Sequence, residues 1–293
     1  MPLFSIIIPT YNRESLIRKA IDSVLIQTFE DFEIIIIDDG STDNTCEVVK
    51  NYKDQRIKYI YQENAERSAA RNNGIKNAKG KYICFLDSDD EYLDNHLFTF
   101  NEELKKNNYP IWMLYSKELT TYQIKNDYNN YEKILKFMIH PQEVCIHQKI
   151  LEEEKFNENK IIGEDFNLWI RIVDKFPLYH INKKTVIIDT HEERSVNYLK
   201  INAYQYCLEN FKEIYASKRF NSKISKKVKV ETISDCYFGI GKHLLYNKHY
   251  LKGMINVLKS ILHNKSNHNR YKFKLVLLSF INRRKLAQLI ESE

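Results

Sequence analysis

Carboxylates gather in three short stretches of this sequence. Asp87-Ser88-Asp89-Asp90 places three of them in four residues, directly after the apolar run Tyr82-Ile83-Cys84-Phe85-Leu86. Carboxylates this close repel one another unless a cation sits among them. Hard oxygen donors suit a divalent cation, and such an ion would let an acidic rim hold the phosphates it could not otherwise approach. The second stretch, Asp38-Asp39-Gly40-Ser41-Thr42-Asp43, combines two carboxylates with the composition of a turn and a helix start. The third, Glu164-Asp165, opens an apolar-periodic segment, where a helix dipole favours negative charge. Polar groups of other kinds stand at Pro9-Thr10-Tyr11-Asn12-Arg13 and at Arg71, one residue beyond a run of small residues. There is no G-x-G-x-x-G and no G-x-x-x-x-G-K-[ST], which excludes the glycine-built phosphate cradles.

The elements that must position these groups follow from two alternating periods. Phe4 to Ile8, Ile34 to Ile37, Ile57 to Tyr61 and Tyr82 to Leu86 are short runs rich in β-branched and aromatic residues. Runs apolar throughout fit central parallel strands covered on both faces. Between them Leu16, Ile17, Ala20, Ile21, Val24 and Leu25 recur at helical spacing, as do residues in Thr45–Tyr52 and in the segment carrying Ala69, Ala70, Asn73, Ile75 and Ala78. The pattern predicts an α/β fold with a doubly wound, mixed sheet flanked by helices, whose ligand site lies beyond the carboxyl ends of the strands. The acidic stretches come just there. A strand is expected at Val144–Ile146, a helix from Glu164 to Val173 and a strand at Thr185–Ile188. Beyond Tyr198 the pattern is helical, and a break at His263–Asn269 precedes a final helix, Tyr271 to Ile290.

The chain has 293 residues, 43% of them hydrophobic, enough for a substantial core plus an appendage. Its net charge of +6 averages two unlike parts: residues 201–293 carry 18 basic and 6 acidic side chains, and residues 1–200 carry 27 and 33. Five cysteines, far apart and without a C-x-x-C pair, argue against a disulfide framework and a thiolate zinc site, and a reducing cytoplasm is the expected compartment. The N-terminus lacks a basic region before its short apolar run and reads as a first strand, not as a signal peptide.

Taken together, Ser5-Ile6-Ile7-Ile8-Pro9-Thr10-Tyr11-Asn12-Arg13, Asp38 to Asp43, Ser68-Ala69-Ala70-Arg71-Asn72-Asn73-Gly74, Phe85 to Asp90 and Gly163-Glu164-Asp165-Phe166-Asn167-Leu168-Trp169 resemble the family 2 glycosyltransferases in order and spacing. The resemblance spans about residues 3 to 197. It implies a GT-A catalytic domain over 1–197, with a nucleotide-sugar half at about 1–90 and an acceptor half at about 91–197, followed by a basic α-helical region over 198–293. It implies an inverting enzyme that moves a hexosyl or N-acetylhexosaminyl group from a nucleotide diphosphate donor, a UDP-sugar in the first instance, to a hydroxyl of a glycan or lipid-linked glycan, with Mn²⁺ or Mg²⁺.

The resemblance also assigns roles. Pro9, Tyr11 and Arg13 belong to the donor site, with Tyr11 against the base and Asp39 accepting its ring N–H, while Asp38 is mostly structural. Arg71 meets the ribose or the diphosphate, with a solvated surface Arg as the alternative. In the Asp-x-Asp element Asp87 and Ser88 touch the donor, Asp89 is the first choice of metal ligand and Asp90 the second. Asp165 is the base that deprotonates the acceptor, with Glu164 the alternative. His191 completes the metal or diphosphate site and Arg194 neutralises diphosphate. Trp169 reads as core packing ahead of a sugar platform.

The basic region lies outside the resemblance. Lys218, Arg219, Lys223, Lys226, Lys227 and Lys229 read as the solvated face of helices that pack on the catalytic domain or pair subunits in a homo-oligomer. The final helix, with Lys272, Lys274, Arg283, Arg284 and Lys285, reads as lying on an anionic membrane surface, which places the protein in the cytoplasm and at the periphery of a membrane. Nucleic acid is not an expected partner, since no recognition motif accompanies the charge. Two rival functions remain at this level: a nucleotidyltransferase, which lacks support because Pro9–Arg13 is not a glycine-rich basic loop, and a catalytically silent nucleotide-sugar-binding or scaffold protein.

Overall fold

A computed structural model describes residues 1–120, 128–160, 162–189, 200–264, 269–281 and 290. The chain forms two compact units, 1–190 and 191–293.

In the first unit the apolar runs become strands. β1 (Phe4–Thr10), β2 (Phe32–Asp38), β3 (Ile57–Tyr61) and β4 (Tyr82–Phe85) are mutually parallel, in the order β3-β2-β1-β4, with Ile6 level with both Ile34 and Cys84. The chain steps outward from β1 to β3 and then returns to the other side of β1. The order therefore reverses between β1 and β4, where β4 ends at Phe85, level with Ile7, and β1 runs on to Thr10. β1, β2 and β4 are buried almost throughout, as their unbroken apolar runs require, whereas β3 at the edge is only partly covered.

One sheet face, carrying Phe4, Ile6, Ile8, Ile34 and Ile36, packs on Ile17, Ala20, Ile21 and Val24 of α1 (Ile17–Leu25). The other receives α3 (Glu66–Asn77) at very close range: a Cβ on Gly74 would come within 2.3 Å of Ile7 Cγ2. The small-residue run before and after Arg71 thus lets α3 lie against the sheet and brings Arg71 to the strand ends. α2 (Thr45–Lys50) follows β2.

The sheet continues with reversed direction. β7 (Val144–His147) is antiparallel to β4 and to β6 (Met113–Ser116), and β8 (Leu178–Ile181) is parallel to β6, giving seven strands in the order β3-β2-β1-β4-β7-β6-β8. A small second sheet joins β5 (Glu91–Tyr92) to β9 (Val186–Ile187). Among the described residues, helices α4 (His96–Lys106), α5 (Asn130–Phe137), α6 (Gln148–Glu153) and α7 (Glu164–Ile172) belong to the same unit. The expected strands at 144–146 and 185–188 and the helix at 164–173 are present; β5, β6 and β8 are additions that the sequence patterns did not give.

The second unit is helical: α8 (Lys200–Ala216), α9 (Lys218–Asn221), α10 (Lys226–Tyr246), α11 (Tyr250–His263) and α12 (Asn269–Ile281). Leu245, Met254, Val257, Ile261, Leu275 and Ile290 form its core. Lys272, grouped from sequence with the surface cations of the final helix, is buried instead. Its ammonium donates to Ser260 Oγ at 2.7 Å and Ser234 Oγ at 3.2 Å, and burial lowers its pKa. All five cysteines are free thiols. Among the described residues no helix is long and apolar enough to cross a membrane.

Candidate active site

The reversal of strand order brings the acidic stretches to one rim. β1 ends in Pro9-Thr10, and the loop beyond it is fastened to the loop after β2. Asn12 Oδ1 accepts from the Thr42 N–H at 2.8 Å, the Asn12 N–H donates to Ser41 Oγ at 2.9 Å, and the Arg13 N–H donates to Thr45 Oγ1 at 2.9 Å. Asn12 adopts a φ of 50°, a conformation Asn tolerates better than most residues. Tyr11, held between these anchors, is 47% exposed and presents a ring at the mouth of the site.

Asp38 and Asp39 have different partners. Asp38 is wholly buried and fully engaged: its carboxylate accepts from the Ser41 N–H at 2.8 Å and the Tyr59 hydroxyl at 2.6 Å, and burial together with this carboxylate raises the Tyr59 pKa. Asp39 accepts from Gln62 Nε2 at 2.6 Å and from the Ala65 N–H at 3.0 Å, both through Oδ1. Gln62 is itself held by Asn73 Nδ2 at 2.7 Å. Two neutral amides therefore orient Asp39 by one oxygen. Gln62 and Asn73 were not foreseen, because an amide in a loop or on a helix carries no pattern that marks it.

After β4, Asp87, Asp89 and Asp90 converge, with one oxygen from each lying within 4.8 Å of the others. Their settings differ. Asp90 is fully buried: its Oδ2 accepts from Gln142 Nε2, its Oδ1 from the Asp189 N–H at 2.9 Å, and its own N–H closes a turn on the Asp87 carbonyl. Asp90 thereby ties this loop to the 3₁₀ turn Pro141–Glu143 and to the end of β9. Asp87 and Asp89 are partly exposed. An all-oxygen donor set at this spacing fits a hard divalent cation. Beneath the loop, the Tyr92 hydroxyl donates to the Phe85 carbonyl at 2.6 Å, and the ring stacks at 3.6 Å on His96. Burial drives the His96 pKa down to about 3, so this imidazole is a neutral packing element.

Arg71 connects this loop to the third acidic stretch. It is 2% exposed, its two terminal nitrogens each 2.8 Å from a carboxylate, Asp87 Oδ1 on one side and Glu164 Oε1 on the other, with the guanidinium over the Phe156 ring. Burial alone would lower its pKa; Asp87 and Glu164 outweigh burial and raise it. Here Arg71 is shielded from solvent, unlike a surface arginine. It acts as the shared counter-ion of two carboxylates that lie far apart in sequence and meet on its two sides. A lysine cannot span both with one planar fork. Arg71→Lys is expected to lower the unfolding free energy by about 1.5 to 3 kcal/mol, the range for hydrogen bonds to charged groups; urea unfolding followed by circular dichroism measures it, and an unchanged midpoint contradicts the bridging role.

Glu164 and Asp165 stand in the first turn of α7, where Gly163 at φ 72° makes the entry that a Cβ would strain. Glu164 is buried against Arg71. Asp165 keeps part of its surface accessible, yet protein crowds it closely enough to push its pKa up to about 7. Desolvation is the main cause, and the neighbouring charge of Glu164 adds to it; the Phe166 N–H and Arg71 pull the other way, and Asp87 contributes a smaller upward push. A carboxyl poised near neutrality is suited to take a proton. Trp169, one turn further on, is fully buried and donates from Nε1 to the Ile139 carbonyl at 3.0 Å, which makes it a core residue as expected. His191 and Arg194 lie outside the described residues.

The model of the family described as Glycosyl transferase family 2 matches residues 5–159. An uncharacterized glycosyltransferase of Rickettsia felis is 39% identical over 196 residues, which is 61% of this chain and 32% of the relative; this chain thus spans about a third of that protein's length. A GalNAc(5)-diNAcBac-PP-undecaprenol beta-1,3-glucosyltransferase of Campylobacter jejuni is 33% identical over 193 residues, 61% of this chain and 62% of the relative. Among solved structures, Staphylococcus aureus TarS 1–349 in complex with UDP-GlcNAc superposes with a TM-score of 0.58 at 17% identity, covering 99% of this chain and 90% of that one, a likeness of fold. The same mixed sheet and flanking helices define the GT-A architecture, and a family match over more than half of the sequence decides the assignment: this chain belongs to glycosyl transferase family 2.

Proposed function

We propose that the protein transfers a hexosyl or N-acetylhexosaminyl group from a UDP-sugar to a hydroxyl of a glycan or lipid-linked glycan in the biosynthesis of a surface polysaccharide, with inversion at the anomeric carbon. The observation that carries this reading is the meeting of Asp87, Asp89 and Asp90 with Glu164–Asp165 through Arg71, at the strand-order reversal where α/β sheets bind ligands. The complex of TarS with UDP-GlcNAc supports the donor class, and the undecaprenol-linked substrate in the Campylobacter jejuni relative's name supports the acceptor class.

In this mechanism Tyr11 lies along the base, and Asp39, oriented by Gln62, accepts the ring N–H of uracil. Pro9 and Arg13 line the same donor site, and Asp87 and Ser88 meet the ribose side of the donor. Asp89, seconded by Asp90, holds Mn²⁺ or Mg²⁺, which when bound neutralises charge on the departing diphosphate. Asp165 takes the proton of the acceptor hydroxyl as that oxygen bonds to the anomeric carbon and the bond from that carbon to the diphosphate oxygen breaks. A single displacement inverts configuration and leaves no covalent intermediate. His191 and Arg194 are proposed to attend the diphosphate. Residues 1–197 would serve as the catalytic domain and 198–293 as a helical region for membrane contact or subunit pairing, with the protein working on the cytoplasmic side of a membrane.

Purified protein, incubated with Mn²⁺ and a panel of UDP-, GDP- and dTDP-sugars, with and without glycan and polyprenyl-linked acceptors, tests the reading. Acceptor-dependent release of UDP is the expected result. Release of pyrophosphate would make the protein a nucleotidyltransferase, and donor binding without turnover across the acceptor panel would make it a silent binding protein.

A further inference from the structure

Helix α11 is apolar on two sides. Met254, Val257 and Ile261 point into the helical core, as a helix packed on its neighbours requires. On its outer side a second apolar row is open to solvent: Leu251 is 69% exposed, Ile255 43%, Leu258 39% and Leu262 77%. Their spacing of four, three and four residues puts them in one stripe along the helix, about 16 Å long at 1.5 Å per residue. Single exposed leucines are ordinary; a continuous row of four on one helix face is not.

The charge around this row points to what covers it. Lys252 and Lys259 flank the stripe and are exposed, and Lys248 stands just before the helix. From Cys236 to Ile290 the sequence contains 11 Lys and Arg and not one Asp or Glu. Two copies of this face pairing with each other would set lysine against lysine with no carboxylate in the whole stretch to answer them, and like charges in register oppose association. An anionic bilayer answers both features: the acyl boundary takes the leucines, and the headgroups take the lysines.

We infer that the outer face of α11, centred on Leu251, Ile255, Leu258 and Leu262 and flanked by Lys252 and Lys259, docks the protein on a membrane surface rich in anionic lipid. This centres the membrane contact on α11, whose exposed apolar row has four members, ahead of α12, which exposes Phe273 and Leu277 but buries Lys272 and Leu275. The inference deepens the reading of a lipid-linked acceptor and rests on that reading for its purpose, since docking of this kind would bring the catalytic unit to the lipid-borne substrate.

Flotation of the full chain with vesicles tests it. The protein is expected to float with vesicles of phosphatidylcholine mixed with phosphatidylglycerol and to remain behind with phosphatidylcholine alone. Leu251→Ser/Leu262→Ser, at the two most exposed positions, is expected to weaken partitioning by on the order of tenfold or more, and Lys252→Gln/Lys259→Gln by a similar factor that vanishes in high salt. The lysine pair carries the test if the leucine pair proves unfolded by circular dichroism. Failure of the wild type to bind anionic vesicles overturns the inference, as does a leucine variant that binds them normally while a native dimer, weighed by light scattering, falls to monomer; the second result assigns the face to another copy of the chain. UDP release with a soluble acceptor, measured in parallel, keeps the two readings apart. Vesicle binding that needs both residue pairs supports docking whether or not UDP is released, and UDP release without vesicle binding removes docking and leaves the transferase.

Discussion

Asp165→Asn is expected to bind donor as the wild type does and to lose transfer by about 10² to 10⁴-fold, the range that a positioned general base supplies. Asn keeps the size and the hydrogen-bonding edge of the side chain but cannot accept a proton at neutral pH. Kinetics should therefore separate: kcat falls while the affinity for UDP, read by calorimetry, stays near its original value. The pH dependence gives a second test. The base acts only when ionised, so transfer by the wild type should rise with pH towards the pKa of about 7 and level off above it. A cation held at Asp89 draws that value down, so the rise falls at or below neutrality in the loaded enzyme. The residual activity of the variant should lack the rise.

The same carboxyl affects stability. Its folded pKa stands above the ordinary value of 3.8, so the folded state binds this proton more tightly than the unfolded chain does. Its contribution is fully present below the unfolded value and is lost as pH climbs through about 7. Asp165→Asn, which carries no such charge, should melt higher than the wild type in alkaline buffer and not in acid. A variant that is active, or that melts identically at both extremes, would displace Asp165 in favour of Glu164.

Asp89→Ala is expected to abolish Mn²⁺-dependent donor binding and to lower transfer on the order of 10³-fold, since both binding of the diphosphate and relief of its developing charge depend on the ion. The fold should survive. Asp89 is partly exposed at a loop, and its removal lessens the repulsion among three carboxylates. Asp90→Ala makes the informative contrast, because it strips Gln142 and the Asp189 N–H of their acceptor at a fully buried position and should cost stability before it costs metal. Calorimetric titration with Mn²⁺ in the presence of UDP, alongside thermal melts, distinguishes the two. Intact metal-dependent binding in Asp89→Ala would shift the ligand assignment to its neighbours.

Local pattern carried the first ninety residues of the fold well. The runs at β1, β2 and β4 could hardly be anything except strands buried on both faces, and the residues after them could be singled out because parallel α/β sheets have a fixed ligand-binding end. The rest of the first unit was less legible. β8, Leu-Tyr-His-Ile, is four residues long with neither a clean alternation nor a full apolar run, and β5 has two residues, too few for any period. The site shows the same division. Carboxylates clustered in sequence announce themselves; partners that meet only in space do not. Arg71 was expected at the ribose or the diphosphate, with a solvated surface position as the alternative, and nothing local says that Asp87 and Glu164 will bury it. Gln62 and Gln142 hold Asp39 and Asp90 through plain amides, whose value depends wholly on where the fold sets them.

Arg71 and Asp90 also bear on how such enzymes can be recombined. Grafting a relative's second half onto the first ninety residues is a natural engineering step. Here the seam would cut through the site: Arg71 reaches forward to Glu164, Asp90 to Gln142 and Asp189, and β4 pairs with β7. A graft lacking the glutamate would strand a buried guanidinium with one partner, and one lacking the glutamine would loosen the loop that presents Asp89. Chimeras of this scaffold should therefore be chosen by whether the incoming half supplies those two side chains, ahead of its overall similarity.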